Sequence, residues 1–210
     1  MKHESGAALR YGRERAPTIA SRLIYAALLW FYRRRGWRAE GEVPAPRRFV
    51  IIAAPHTSNW DFLYFLGLTT DIGIKAHFMA KTSLFRWPLG RFMRDMGGVP
   101  VERDASRGQV QQMIDEFTRR EDFMLTIAPE GTRGNVRQWR TGFYQIALGA
   151  GVPLVCGLMD YKRKVGGLGP AIMPTGDYTA DMAKVMAYYQ SVTPRHPTRA
   201  STDIIRDSIV

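Results

Sequence analysis

The sequence predicts an α/β protein with a mainly parallel sheet flanked by helices, and three observations carry that prediction. Phe49-Val-Ile-Ile-Ala-Ala54 and Phe123-Met-Leu-Thr-Ile-Ala128 are continuous apolar runs of strand length, the pattern of strands covered on both faces. Helical patterns alternate with strands between and after them, as a layered α/β fold requires. The 210 residues, 45% of them apolar, suffice for one sizeable core.

Taken in order, residues 1–16 are a polar, charged terminus. The most apolar run follows, Leu23-Ile-Tyr-Ala-Ala-Leu-Leu-Trp-Phe-Tyr32, between Arg22 and Arg33-Arg34-Arg35. It falls short of the roughly 20 apolar residues that cross a bilayer. Three arginines stand where a secretory signal would place a small-residue cleavage site. We expect a membrane-associating helix lying at the interface, its arginines on anionic headgroups; the alternative is a core helix with a solvated basic end. Residues 1–40 are thus read as a basic tail plus this helix, and 41–210 as a single α/β domain.

Within that domain, Gly41-Glu-Val-Pro-Ala-Pro46 marks the entry and Phe49–Ala54 the first buried strand. A helix is expected over 59–70, a strand over 75–80 and a broken helical region over 83–96. Val99-Pro-Val101 reads as a short edge strand, because proline lacks the N–H that a central ladder needs. A polar helix over 107–120 leads into Phe123–Ala128. After the loop Pro129 to Gly134 come a helix over 142–150, a strand over 153–158, a further strand over 171–174 and a helix over 181–190. Ligands of such sheets sit beyond the carboxyl ends of the strands.

The 30 basic and 19 acidic side chains leave a net charge of +11, which calls for an anionic partner. Residues 1–48 carry 11 Lys/Arg against 4 acids, so most of the excess surrounds the apolar helix. No nucleic-acid-binding motif or interleaved basic and aromatic surface accompanies it, which excludes that class. Cys156 is the single cysteine: there is no disulfide framework, and its apolar strand disfavours a nucleophilic thiolate. No set of ligands at metal spacing lies near His56, so no metal is expected.

His56 and Asp61 follow the first buried strand. On one continuous helix they would point about 140° apart, so the histidine belongs on the turn and the aspartate in the first turn of a helix. The carboxylate can then hold one ring nitrogen and leave the other to take a proton from a hydroxyl. The competing interpretation is Ser58-Asn-Trp-Asp61 as a helix start that Asp61 merely caps. Pro129-Glu-Gly-Thr-Arg-Gly134 follows the other buried strand, so it should open at the same sheet edge. Its glycines permit close approach and Arg133 offers a planar fork for phosphate oxygens; otherwise it is a solvated turn. Gly97-Gly-Val-Pro-Val-Glu-Arg103 presents a further arginine after a short strand.

In this order the segments resemble the glycerolipid (lysophosphatidate) acyltransferases. His56-Thr-Ser-Asn-Trp-Asp61 resembles their H-x-x-x-x-D motif, Gly97 to Arg103 their second block, Glu130-Gly-Thr-Arg133 their third and Val152-Pro-Leu-Val155 their fourth. The resemblance implies the fold of that family and an O-acyltransferase. It would move a fatty acyl group from acyl-coenzyme A or acyl carrier protein, as co-substrate and with no cofactor, to a lysophospholipid, with 1-acylglycerol-3-phosphate giving phosphatidate. It implies His56 as base, Asp61 as its orienter, and Arg103, Glu130, Gly131, Thr132 and Arg133 around the acceptor phosphate, with Lys81 also within reach. The implied setting is peripheral or monotopic, on the cytoplasmic face of an anionic phospholipid membrane. Pro55 and Ala128-Pro129 depart from the family's usual asparagine and phenylalanine-proline, which reshapes the acceptor pocket. Another lyso-lipid, a non-glycerol acceptor or a catalytically silent membrane-binding homologue are the other readings.

Overall fold

The computed structural model describes residues 16–101, 106–134 and 136–201. The expected polar start, residues 1–15, and Arg103 lie outside them. Among the described residues seven strands form one sheet in the order β1 (Arg38–Glu40), β7 (Val165–Ile172), β6 (Leu154–Asp160), β2 (Arg48–Ile52), β5 (Phe123–Ile127), β3 (Ala76–Lys81) and β4 (Gly98–Val101). Every neighbouring pair is parallel except β6 with β7. The two apolar runs are the adjacent strands β2 and β5 in the middle of the sheet, and β4, with Pro100, is an outer strand as its proline requires.

Alternate residues of the central strands feed two cores. Val50, Ile52, Phe123 and Leu125 join the helices α4 (Ser106–Arg119), α5 (Gly142–Ala150) and α6 (Tyr178–Tyr189) on one face. Phe49, Ile51 and Met124 point the other way, toward α2 (Trp60–Ile72), through Phe65 and Ile72. The 83–96 region is broken as expected, into a 3-10 turn at Thr82–Phe85 and the short helix α3 (Gly90–Asp95).

The apolar N-terminal segment is α1, Ile19–Arg34. Its inner stripe, Tyr25, Leu28 and Tyr32, packs on the domain at helical spacing. The Tyr32 ring lies so close to α2 that a Cβ at Gly67 would sit 2.3 Å from it. Tyr32 donates to Asp71 Oδ2 at 2.8 Å, Tyr25 and Thr70 share a short hydroxyl contact, and Asp95 Oδ2 accepts from Thr18 N–H at 3.1 Å and Ser21 Oγ at 2.7 Å. The outer stripe is bare: Ile19 is 76% and Leu23 67% exposed. Among the described residues no helix is long and apolar enough to cross a membrane.

β7 and β1 differ most from expectation. β7 occupies Val165–Ile172, six residues ahead of the expected start at 171, because Val165-Gly-Gly-Leu-Gly-Pro170 reads as loop from its glycines. Those glycines accommodate close neighbours: a Cβ at Gly167 would lie 1.9 Å from the Glu40 carbonyl of β1. β1 itself was not anticipated; it lies inside the stretch read as tail and helix, and pairs with β7 through three residues.

Candidate active site

β2 and β5 run parallel with Ile52 beside Ile127, so the loops that follow them leave the sheet together. The Ala53 N–H donates to the Ile127 carbonyl at 2.9 Å, carrying the pairing one step past the strands. His56 stands in the first loop and Asp61 in the first turn of α2, the division that their spacing demanded.

His56 Nδ1 lies 3.0 Å from Asp61 Oδ2. That contact assigns the ring proton to Nδ1 and makes Nε2 the nitrogen able to accept one. The same Oδ2 accepts the Thr57 and Ser58 N–H groups, each at 3.0 Å. Asp61 therefore ties back the two N–H groups of the turn that leads into α2 while it holds the histidine ring; the helix N-cap itself is Asn59, without a side-chain cap bond. Asp61 Oδ1 accepts the Tyr161 hydroxyl at 2.5 Å.

Glu130 is buried beneath this loop, where Oε2 accepts the His56 N–H at 2.7 Å. Burial, with the nearby Asp61 charge, pushes its carboxyl up to about 8 against hydrogen bonds from the backbone of His56 and Ser201. Its oxygen thus braces the histidine backbone. Gly131 makes the following turn with φ of 63°, its N–H on the Ala128 carbonyl at 3.1 Å. A Cβ there would lie 3.1 Å from Arg140 Nε, so glycine suits the position twice over. Thr132 and Arg133 are exposed at the tip.

An apolar cavity of about 540 Å³ opens between the sheet and the layer of α1, α2 and α3. Ile24 and Leu28 of α1, Phe62 and Phe65 of α2, Phe78 of β3 and Leu168 of β7 supply much of its lining. His56, Asp61 and Arg133 stand in the same wall. Lys81 ends β3 at the same sheet edge, exposed and outside that lining.

Several contributors escaped sequence reasoning. Tyr161 is the first residue past β6, which runs to Asp160, two residues beyond the expected end at Leu158, and this brings the tyrosine to the edge that holds His56. The segment after α6 had no pattern to follow, yet it ties down the loops. The His196 N–H donates to Thr57 Oγ1 at 3.2 Å, the Val136 N–H to Ser201 Oγ at 2.9 Å, and Trp139 Nε1 to the Ser201 carbonyl at 3.0 Å. Cys156 is buried and burial pushes its thiol up to about 12, as its apolar strand foretold.

A family model described as Acyltransferase matches residues 37–159, more than half of the chain. Among solved structures, the 1-acyl-sn-glycerophosphate (LPA) acyltransferase PlsC from Thermotoga maritima has a similar fold. Its TM-score is 0.53 at 19% sequence identity, over 81% of this chain and 79% of that one. No curated protein matches the sequence.

Proposed function

We propose that this chain, an enzyme that belongs to the acyltransferase family, moves a fatty acyl group from an acyl thioester to the hydroxyl of a lysophospholipid. The proposed acceptor is 1-acylglycerol-3-phosphate, giving phosphatidate, and acyl-coenzyme A or acyl carrier protein is the donor. The observation that carries this reading is a junction of unlike surfaces. A histidine and aspartate 3.0 Å apart stand in the wall of an apolar cavity of about 540 Å³, so a proton acceptor meets room for an acyl chain.

In the proposed reaction His56 Nε2 takes the acceptor's hydroxyl proton as that oxygen attacks the thioester carbonyl. Asp61 stabilises the imidazolium. The tetrahedral intermediate collapses, the C–S bond breaks, and the departing sulfur takes the proton from His56, which returns the base to its starting state. Arg133 holds the acceptor phosphate, making attack effectively intramolecular and offsetting several kcal/mol of barrier. Arg103 and Lys81 supply further positive charge to that phosphate.

The setting we propose is a peripheral or monotopic one on the cytoplasmic face of an anionic phospholipid membrane. Three features support it. Ile19 and Leu23 face outward on α1, Trp87 in the loop before α3 is 93% exposed, and Arg22, Arg33, Arg34, Arg35 and Arg86 are exposed on these same two elements. Trp87→Ser should reduce cosedimentation with anionic liposomes several-fold, and unchanged binding would remove that loop from the contact.

The deciding assay follows thiol release from long-chain acyl-coenzyme A and acyl carrier protein, with product lipids identified by mass spectrometry, against lysophospholipids with and without a phosphate monoester. Acylated product that needs the phosphate and disappears in His56→Ala is the expected result. A folded His56→Ala with near wild-type turnover, or no transfer to any phosphate-bearing acceptor, overturns the reading.

A further inference from the structure

The two oxygens of Asp61 are used differently. Oδ2 receives His56 and two backbone N–H groups, whereas Oδ1 receives the Tyr161 hydroxyl at 2.5 Å. Nothing in the histidine contact would by itself fix the carboxylate plane, because a terminal sp³–sp² torsion has a broad minimum. A second bond on the opposite oxygen does fix it, provided that its donor is held in place.

Tyr161 is held from several directions. Its ring meets Trp37 and Tyr64 edge-on, with centroids 5.1 and 5.6 Å away. The Arg195 guanidinium lies over the same ring at 5.8 Å and over Trp60 at 5.3 Å. The Tyr161 N–H donates to the Thr193 carbonyl at 2.8 Å. Burial and the Asp61 carboxylate push its hydroxyl far above the ordinary tyrosine value, so it remains a donor.

We infer that Tyr161 is a positioning residue for the transfer reaction: its hydroxyl fixes the plane of the Asp61 carboxylate and draws part of its negative charge away from His56. The inference rests on His56 and Asp61 being the catalytic pair, as proposed above. A hydrogen bond to a carboxylate stabilises its charged form and makes it a weaker base toward its other partner. Tyr161 therefore tempers the pull of the Asp61 carboxylate on the imidazolium formed in the proposed reaction while keeping the ring aimed. Among the described residues, the titratable and charged groups around the pair include Glu130 behind the His56 backbone, Arg133 in the cavity wall, His196 bonded through its N–H to Thr57, and Tyr64 and Arg195 against the Tyr161 ring.

Tyr161→Phe keeps the ring and removes the hydroxyl. Expected is a fall in kcat of about tenfold with acceptor KM changed less than about twofold, and a shift of the acid limb of kcat/KM to higher pH. In an Asp61→Asn background the same change should cost little more, because the partner is already gone. Wild-type kcat and pH profile in Tyr161→Phe, or an equal loss in both backgrounds with the acid limb unmoved, overturns the inference. His56→Ala measured alongside separates the two levels: if it stays active, the catalytic pair itself is misassigned and the inference falls with it. Should Tyr161→Phe not fold, a 3,5-difluorotyrosine at position 161 keeps ring and hydroxyl but donates more strongly. The acid limb should then move to lower pH, and an unmoved limb overturns the inference.

Discussion

The loops after β2 and β5 leave the same edge of one sheet from neighbouring strands, yet they are held in opposite ways. In the first, Thr57, Ser58 and Asp61 are buried, and the Asp61 carboxylate alone receives two backbone N–H groups, an imidazole and a phenol. In the second, Glu130 is buried as a brace for the first loop, while Thr132 and Arg133 are exposed and Arg133 has no carboxylate partner among the described residues. The difference teaches how one sheet edge divides its work. The imidazole of the first loop is locked by its neighbours, which in the proposed reaction means a base set before substrate arrives, whereas the guanidinium of the other loop is exposed and in that proposal receives the ligand.

The sharpest way to break this comparison is to disturb the fixed loop without emptying it. Asp61→Asn keeps the shape but removes the charge that assigns the His56 tautomer, and kcat should fall on the order of a thousandfold. A fall of only a few-fold in steady-state assays would mean that Asp61 ties back the turn into α2 and does nothing more. Next in size, Arg133→Ala should raise acceptor KM about thirtyfold, the loss of one charge-assisted contact, with kcat and donor KM nearly unchanged. If donor KM moved instead, the second loop would serve the thioester rather than the acceptor. The smallest effect tests the brace between the loops. The Glu130 carboxyl, pushed up to about 8 by burial, binds its proton more tightly folded than unfolded. Its contribution to stability is full below the ordinary value of 4.5 and is lost as pH rises through about 8. Glu130→Gln has no such titration, so its Tm relative to wild type should rise between pH 5 and pH 9 on the order of 5 °C. A constant difference in thermal scans would show that the carboxyl is not held this way.

Much of the sheet was legible because its central strands are written as unbroken apolar runs; a strand covered on both faces cannot be spelled otherwise. The same runs placed His56 and Glu130 at one edge before any coordinates. Strands whose burial depends on partners were harder. β7 substitutes glycine for bulk where β1 and α2 crowd it, with Leu68 Cδ1 only 2.2 Å from a Cβ on Gly166, and glycine in a sequence reads as loop. The role of Glu130 was hidden for a related reason: nothing local distinguishes an exposed carboxylate from one that meets a backbone N–H 74 residues away. Tyr161 and the segment from Thr193 to Ser201 belong to the same class, since their meaning lies entirely in distant contacts. α1 was ambiguous from sequence because its two stripes do different things: the stripe with Tyr32 is core and the one with Leu23 is bare.

The hydrogen bond from His196 to Thr57 joins residues 139 positions apart, and a ribosome makes them in that order. Both motif loops emerge, and their strands can pair, well before the segment that latches them exists, since domains take shape from the N-terminus during synthesis. A nascent chain halted at α6 would hold every motif residue but lack the Arg195 cover over Tyr161 and the Ser201 tie to Val136 and Trp139. Translation itself thus sets the moment at which the site is closed.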